Sequence, residues 1–208
     1  MAFFSYKDIE DLDFLYRINL INSCSGFKSA NLIGTTSKNG NSNLAIFSSV
    51  THLGSNPPLL GFFLRPTEVP RHTFDNINAT GCYTINHIHQ DIIEQAHHTS
   101  AKYDDEISEF EVTGLEEEYK DNFLAPFVKG CSVQLAMHYE DSYHIRQNDV
   151  MLIVGSIHGL YIKDEILQKD GFVDLAKANI VSINGLDGYI ETGLIERLAY
   201  QRPKSQKA

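Results

Sequence analysis

One stretch of the chain carries hydroxyl, amide and guanidinium side chains at spacings that suit a phosphorylated ligand. The run Phe47-Ser48-Ser49-Val50-Thr51 places three hydroxyl groups within four positions at the end of a predicted strand. After Arg65, a second group begins a predicted helix with Arg71, Thr73 and Asn76. The first helical turn presents N–H groups without intrahelical partners and a partial positive charge. This combination predicts a phosphate site without a glycine-rich loop; alternatively, Thr73 caps the helix and Arg71 is an ordinary surface charge.

Sequence signatures of several other chemistries are absent. The chain has no GxxxxGK[ST] or GxGxxG motif, and it has neither HExxH nor GxSxG. Nine histidines invite a metal hypothesis. His89 and His97 share a stripe of one predicted helix with Ile93 between them, so no histidine pair has the spacing of one helical turn there. The sequence therefore predicts no metal site, and it indicates no catalytic acid or base.

The composition is that of a folded protein with an acidic surface. Of the 208 residues, 42% are hydrophobic and 21% are charged, which is typical of a globular chain. Lys and Arg total 17 and Asp and Glu total 27, so the formal net charge of −10 disfavours nucleic acid as a partner. No run approaches the roughly 20 apolar residues that cross a bilayer. The acidic start and three widely spaced cysteines lead us to expect a cytoplasmic protein without a membrane partner.

Apolar runs along the chain predict a mainly β protein with short helices. Asn39-Gly40 predicts a hairpin between the first two strands, whereas residues 109–114 have an irregular, acidic pattern. Predicted strands cover residues 30–36, 44–50, 59–64, 82–86, 132–139 and 150–162, and predicted helices cover residues 7–16, 73–79, 89–98 and 174–179. This order predicts a closed β-barrel with helical decoration rather than a doubly wound sheet. We expect one domain over residues 1–208, with a core at roughly 20–195 and a loose tail at 203–208.

The segment from Lys28 to Asn86 resembles the flavin reductase-like, FMN-binding split-barrel family. It contains the strand SANLIGTT, the turn KNGN, and then NLAIFSSVTHLGSNPPLLGF and RHTFDNINATGCYTIN. In that family a strand ends in small and serine residues before a loop with a Pro-Pro pair, and a basic residue, a threonine and an asparagine begin the next helix. Residues 152–157 and 185–189 resemble later elements, so the resemblance spans most of residues 28–190.

The resemblance implies a flavoprotein that is a homodimer and binds FMN or FAD in a groove between its subunits. The backbone N–H groups of residues 48–50 would donate to the pyrimidine edge of the flavin ring, and Arg65, Arg71 and Thr73 would bind the phosphate. The implied cofactor-binding residues are Asn31, Thr35, Phe47, Ser48, Ser49, Val50, Thr51, Arg65, Arg71, His72, Thr73 and Asn76. The resemblance also places Tyr189, Arg197 and Arg202 of the partner subunit as candidates to cover the flavin.

Two departures from the family pattern bear on the expected activity. The resemblance implies an NAD(P)H-dependent flavin reductase, which passes electrons from a reduced nicotinamide to flavin and on to an acceptor. His72 stands where the family often has an aspartate, and Gln147-Asn148-Asp149 stands where a Gly-Asp-His stretch is common. Because that histidine helps to position nicotinamide, its absence favours the alternative of a non-catalytic flavin carrier. A split-barrel oxidase acting on a B6 vitamer and a barrel without cofactor are further alternatives.

Overall fold

A seven-stranded antiparallel sheet dominates the computed structural model, which describes residues 1–66, 71–104 and 106–203. The strands in these ranges are β1 (Lys28–Ser29), β2 (Asn31–Thr36), β3 (Ser42–Phe47), β4 (Thr51–Ser55), β5 (Pro58–Leu64), β6 (Cys82–His87), β7 (Glu117–Glu118), β8 (Phe127–Val128), β9 (Val133–Ile145), β10 (Val150–Ile162), β11 (Ser182–Asn184) and β12 (Gly188–Ile190). The α-helices there are α1 (Tyr6–Asp11), α2 (Phe14–Cys24), α3 (His72–Thr80), α4 (Ile93–His98) and α5 (Glu109–Thr113). Short 3-10 turns cover Gln90–Ile92, Asp164–Ile166 and Ala176–Ala178.

The large sheet must curl into a barrel because its two edge strands are consecutive in the chain. The strand order is β3-β2-β6-β9-β10-β5-β4, and only residues 48–50 connect β3 to β4. Such a connection spans at most about 14 Å between the flanking strand ends, so the two edges of the sheet lie side by side. In the part of the chain that the structure describes, no ladder joins β3 to β4. We call this open line between the two strands the seam.

Two apolar cores lie on opposite faces of β2. Ile33 packs inside the barrel with Phe62 and Tyr83, whereas Leu32 packs on the outer face with Leu44 and with residues of α4 and α5. Successive residues of a strand point to opposite faces. A strand between two cores is therefore buried along its whole length, as all six residues of β2 are.

The long strands β9 and β10 follow the curved wall of the barrel by means of bulges. Their ladder shifts register between Val154 and Gly155 and again between Ile157 and Gly159, and such bulges bend a strand and increase its twist. At Gly155 a Cβ would overlap the hydroxyl oxygen of Tyr83 and lie 2.8 Å from the carbonyl oxygen of His138. A glycine is therefore needed where β10 passes over this buried ring.

Most of the predicted elements are confirmed close to their predicted bounds. α3 ends at Gly81, whose φ of 72° lies in the left-handed region that favours glycine. The hairpin at Asn39-Gly40 is also confirmed, because β2 and β3 pair antiparallel around it. The strand predicted at 132–139 continues to Ile145, and the helix predicted at 174–179 is a single 3-10 turn.

Two predictions near the amino terminus and the seam need correction. The helix predicted at 7–16 is two helices, because the Asp13 carboxylate accepts hydrogen bonds from the N–H groups of Leu15 and Tyr16 and so begins α2. The strand predicted at 44–50 ends at Phe47, and residues 51–55, where the resemblance implied a loop, form β4. β4 exists because it pairs with β5 in a tight hairpin, in which Ser55 lies opposite Pro58. Strand propensity depends on such cross-strand packing and is a weak signal in the residues themselves.

The prediction of irregular structure at residues 109–114 is wrong. Residues 109–113 form α5, which ends at Gly114 with a φ of 73°. Glu109 is buried, and its carboxylate accepts a hydrogen bond of 2.9 Å from the backbone N–H of Leu44 on the edge strand β3. Burial raises the pKa of Glu109 above its ordinary value. α5 forms because Phe110 and this carboxylate pack onto β3, and tertiary contacts of this kind override local propensity.

Two further sequence expectations concern membranes and the end of the chain. Across the three described ranges, no helix combines the length and the apolarity needed to cross a bilayer. The tail predicted to be loose begins at residue 203, and its residues 204–208 lie outside the described part of the chain.

Replacing Glu109 tests whether its carboxylate holds α5 on β3. Glu109→Ala leaves the N–H of Leu44 without its acceptor, so the free energy of unfolding should fall by about 1–3 kcal/mol. Glu109→Gln keeps a carbonyl acceptor, so its free energy of unfolding should fall by less. Urea unfolding of both variants and of the wild-type protein measures these changes, and equal losses in the two variants would contradict the role of the acceptor.

The same three proteins should differ in the pH dependence of their stability. Because the pKa of Glu109 is raised in the folded state, the folded wild-type protein binds more protons than the unfolded chain between the two pKa values. Its stability relative to Glu109→Gln should therefore rise as the pH falls from neutrality toward the ordinary pKa of a carboxyl group.

Candidate functional site

Three consecutive backbone N–H groups lie at the seam without a protein acceptor. Ser48, Ser49 and Val50 connect β3 to β4 and belong to neither strand. Among the described residues, no backbone or side-chain atom accepts a hydrogen bond from these three N–H groups. All three residues are partly exposed. A row of such donors can bind the acceptor atoms of a ligand, as backbone N–H groups do in anion-binding turns.

A buried asparagine lies beside this row of donors. Asn31, the first residue of β2, is fully buried and pairs with Phe47 across the ladder. Its Nδ2 donates to Ser29 Oγ over 2.9 Å, and Ser29 Oγ donates to the Val50 carbonyl over 2.9 Å. The Oδ1 atom of Asn31 is buried and has no hydrogen-bond partner within the described residues. Because an unpaired buried polar atom is costly, this oxygen is a candidate acceptor for a ligand group.

A buried polar network holds the start of α3 against β2 and β3. Thr35 Oγ1 accepts a hydrogen bond from Nδ2 of Asn43 and another from Nδ2 of Asn76, each over 3.1 Å. Asn43 Nδ2 also donates to Thr73 Oγ1 over 3.2 Å. All four side chains are buried. The network brings together three of the predicted site residues, namely Thr35, Thr73 and Asn76, and fixes their relative positions.

The first turn of α3 has backbone donors that need acceptors from outside the helix. Arg71 is the N-cap residue, and its side chain makes no capping hydrogen bond. The N–H groups of His72 and Thr73 have no acceptor among the residues that the structure describes. The Nε of Arg71 donates to the carbonyl of Pro66 over 3.3 Å, which places this guanidinium beside the helix start. The helix terminus and the guanidinium both favour an anion here.

Two predicted site residues have side chains that are committed to the fold. The ring of Phe47 packs edge-on against Phe62 with centroids 4.9 Å apart, next to the core inside the barrel. The Oγ of Ser49 accepts from the N–H of Phe63 over 3.0 Å and donates to the carbonyl of Phe63 over 3.1 Å. Phe63 lies beyond the part of β5 that pairs with β4, and the Ser49 hydroxyl satisfies its backbone groups in place of a neighbouring strand. From this part of the chain, the backbone rather than these side chains is available to a ligand.

Other predicted site residues are not drawn into the buried network. Thr51 and Arg65 are exposed. Tyr189 and Arg197, which the resemblance assigned to the partner subunit, form hydrogen bonds within their own chain, and Arg202 is exposed. The structure therefore groups the predicted residues into two clusters, one at the seam and one at the start of α3.

Sequence reasoning missed Ser29 and Asn43. Asn43 lies directly opposite Thr35 in the β2–β3 ladder. A two-residue turn at Asn39-Gly40 would instead place Leu44 opposite Thr35, so the predicted turn does not give this register. Ser29 offers no local signal either, because its link to Val50 joins residues 21 positions apart.

The histidines form no metal centre with other ligating side chains within the described ranges. One of them lies near the turn between β9 and β10, where the sequence lacks the family's histidine. His144 Nε2 is 2.9 Å from Asp149 Oδ1, and both side chains are about half exposed. An imidazole therefore lies close to this turn, but it belongs to β9, the strand that precedes the turn.

A comparison with protein families gives one match over most of the chain. The family described as "Flavin reductase like domain" matches residues 24–182. This range contains the seam, α3 and both long strands of the barrel wall. The predicted family resemblance is therefore confirmed.

Solved structures with similar folds cover nearly the whole chain. A protein from Shewanella frigidimarina NCIMB 400, assigned as a flavin reductase with a split barrel domain, is 49% identical; the alignment covers 97% of this chain and 100% of that one, with a TM-score of 0.93. Nitrilotriacetate monooxygenase component B from Bacillus cereus is 16% identical, with coverage of 95% and 98% and a TM-score of 0.82. Flavoredoxin of Desulfovibrio vulgaris (Miyazaki F) is 18% identical, with coverage of 84% and 91% and a TM-score of 0.73. The predicted split β-barrel is confirmed.

Proposed function

The chain belongs to the family of the flavin reductase-like domain, and from that premise we propose that it binds FMN and passes electrons from a reduced nicotinamide to the flavin and on to an acceptor. One observation carries this proposal: a row of N–H groups at Ser48, Ser49 and Val50 lies beside Oδ1 of Asn31, and none of these atoms has a hydrogen-bond partner among the described residues. This set offers several donors and one acceptor within a few residues, which suits a planar ring that carries both carbonyl and N–H groups.

The seam supports binding of the pyrimidine edge of a flavin. The N–H groups of residues 48–50 would donate to the carbonyl oxygens of the ring, and Asn31 Oδ1 would accept from the ring N–H. Reduction places negative charge at this edge, and fixed donors stabilise such charge without having to reorient. The chain's backbone would therefore favour the reduced cofactor as well as orient it.

The start of α3 supports binding of the phosphate. Asn31 and Thr35 are four positions apart on β2, which corresponds to about 13 Å of strand. The two ends of the site therefore require an elongated ligand, such as a ring with a phosphorylated side chain. The N–H groups of His72 and Thr73 and the guanidinium of Arg71 would bind the phosphate oxygens.

The chain's residues bind and orient, and the cofactor carries the redox chemistry. Bound flavin would supply a ring that accepts a hydride and transfers electrons onward. The network around Thr35 fixes α3 against β2, so the phosphate end cannot shift relative to the ring end. Correct placement of this kind is worth several kcal/mol of an activation barrier in general. No side-chain acid or base is assigned a role at the seam.

A flavin carrier without nicotinamide chemistry is the second candidate function. The turn between β9 and β10 favours it, because Gln147-Asn148-Asp149 contributes no histidine. His144 is the imidazole nearest to this turn in sequence, and its Nε2 is already engaged by Asp149. An experiment that separates FMN binding from reduction by nicotinamide therefore distinguishes the two functions.

We also propose that the protein acts as a homodimer, with the two amino-terminal helices and the carboxy-terminal segment at the interface. α2 has no buried residue, although it carries Phe14 and Leu15 with exposures of 63% and 67%. Ile195 and Leu198 near the other end of the chain are exposed by 100% and 76%. Large exposed apolar side chains concentrated in this way are typical of an interaction surface.

The first prediction concerns the spectrum of the purified protein. The protein should bind about one FMN per chain, and anaerobic addition of NADH or NADPH should bleach the flavin absorbance as the ring is reduced. Bound FMN that keeps its colour with both nicotinamides would identify the carrier function instead. Absence of saturable FMN binding would contradict both candidate functions.

The second prediction concerns the phosphate end of the site. Arg71→Ala should weaken FMN binding by about 1.5–3 kcal/mol, because a charged hydrogen bond to phosphate is lost. Fluorescence titration of FMN measures this, with Arg146→Ala, at an exposed residue between β9 and β10, as the matched control. Thermal stability without FMN should be the same in both variants. An unchanged FMN affinity of Arg71→Ala would remove this residue from the site.

The third prediction concerns assembly. Light scattering should give twice the 23.4 kDa mass of one chain. The double variant Phe14→Ser, Leu15→Ser should shift the protein toward the monomer, because it removes apolar surface that the second copy would cover. Leu160→Ser, which changes a similarly exposed leucine on β10, should leave the mass unchanged. A wild-type protein that is monomeric at high concentration would refute this part of the proposal.

A further inference from the structure

A mostly apolar cavity lies under the carboxy-terminal segment, next to the amino-terminal end of β2. Its volume is about 370 Å³, which lies within the range of small-molecule sites. Phe172, Leu175, Val181 and Leu194 contribute apolar walls, and Ser29 and His87 contribute polar groups. No residue of the proposed flavin cluster at 48–50 or at the start of α3 lines this cavity.

His87 is, with Ser182, one of two polar side chains of this cavity that form no hydrogen bond with the described residues. It is the last residue of β6, and none of the described residues forms a hydrogen bond with its imidazole. Burial lowers the pKa of His87 to about 4, so the ring is neutral at physiological pH. A neutral imidazole has one donor nitrogen and one acceptor nitrogen. It can therefore bind either a carbonyl or a hydroxyl group.

The carboxy-terminal segment forms one wall of the cavity and is anchored on both sides of it. Thr192 Oγ1 donates to the carbonyl of Ile180 over 2.7 Å. Beyond Leu194, Arg197 donates to Asp170 over 2.6 Å, and its guanidinium lies 4.1 Å from the centre of the Phe172 ring. Because Phe172 is itself a wall residue, these contacts hold the segment and the opposite wall together.

The charges around the cavity favour an uncharged ligand. Among the described residues that line it there is no lysine or arginine, and Asp174 is the charged one. An anion would thus meet no cation and would face a carboxylate, at a cost that apolar walls do not offset. The Asp174 carboxylate already accepts a hydrogen bond from the backbone N–H of Lys177, so a contact within the chain fixes its orientation.

We infer that this cavity is a binding site for a small, uncharged ring compound whose single hydroxyl or carbonyl group hydrogen-bonds to the imidazole of His87. The apolar walls would cover the ring of the ligand, and His87 would select compounds that carry a polar group. The inference goes beyond the proposed function and does not depend on it, because the cavity and its walls are present without flavin. Ser29, which lines the cavity and donates to the Val50 carbonyl, separates this ligand from the seam.

Fluorescence titration with 2-naphthol, and with naphthalene as the matched ligand without a hydroxyl group, tests the inference on the full chain. 2-Naphthol should bind one site per chain. His87→Phe keeps an aromatic ring but removes both nitrogens, so it should weaken 2-naphthol binding about tenfold and change naphthalene binding by less than about twofold. His98→Phe, at a residue that does not line the cavity, should change neither affinity. Equal binding of 2-naphthol to the wild-type and His87→Phe proteins would overturn the inference.

A second measurement uses only the wild-type protein, so it does not depend on the folding of a variant. The ring-nitrogen NMR signals of His87 should shift strongly when 2-naphthol is added, because a hydrogen bond forms at one nitrogen, and only slightly when naphthalene is added. Shifts that are absent with 2-naphthol would overturn the assigned role of His87. Displacement of 2-naphthol by FMN would overturn the assignment of a separate site. FMN binding by His87→Phe, followed by absorbance, should match the wild-type protein, and this readout keeps the inference distinguishable from the proposed flavin site.

Discussion

The seam between β3 and β4 is the constraint on which the rest of the structure depends. A seven-stranded sheet whose edge strands are joined by three residues has to roll up, but its last gap is bridged by a connection and not by a ladder. Backbone groups along this gap need partners, since unpaired ones are costly when buried. Ser49 supplies partners for Phe63, and Glu109 supplies one for Leu44. The N–H groups of residues 48–50 are left without such partners among the described residues. The missing ladder between β3 and β4 therefore explains both the opening in the barrel and the backbone groups that are free to bind a ligand there.

A single strand connects the two halves of the candidate site. β2 begins with Asn31 beside the seam and reaches Thr35 under α3, and it is buried on both faces. Because interiors are closely packed, such a strand has little freedom to move. The position of the helix start relative to the seam is therefore set by the packing of the barrel itself. This explains why the polar side chains on β2 are buried although they belong to a candidate binding site.

Much of the fold could be predicted because its signals are local. The Asn39-Gly40 turn, the helix ending at Gly81 and the apolar run of β5 each depend on a few neighbouring residues. α5 was not predicted, because it is stabilised by a partner on β3 that is distant in sequence. β4 was also missed, although its partner β5 follows it directly in the chain, because its own residues have a weak strand pattern. The family resemblance reached the right fold by a different route, since it compares a whole pattern and not one segment.

The candidate site shows the same division. Residues at the start of α3 were predicted, because helix termini and basic residues are visible in sequence. The committed roles of Phe47 and Ser49 could not be predicted, because they depend on contacts with Phe62 and Phe63 across the seam. A sequence shows which residues carry polar groups, whereas only the folded chain shows which of those groups are already engaged.

The exposure of α2 has a consequence for how the chain acquires its structure. An isolated helix of 11 residues is marginal in water, and no buried side chain of this helix ties it to the barrel. Its helical state therefore depends on whatever covers Phe14 and Leu15. In a lone subunit these residues would exchange between coil and helix, while the barrel stays intact. In the proposed homodimer, the amino terminus would then order upon association, and its amide protons would report the meeting of two subunits rather than the folding of one.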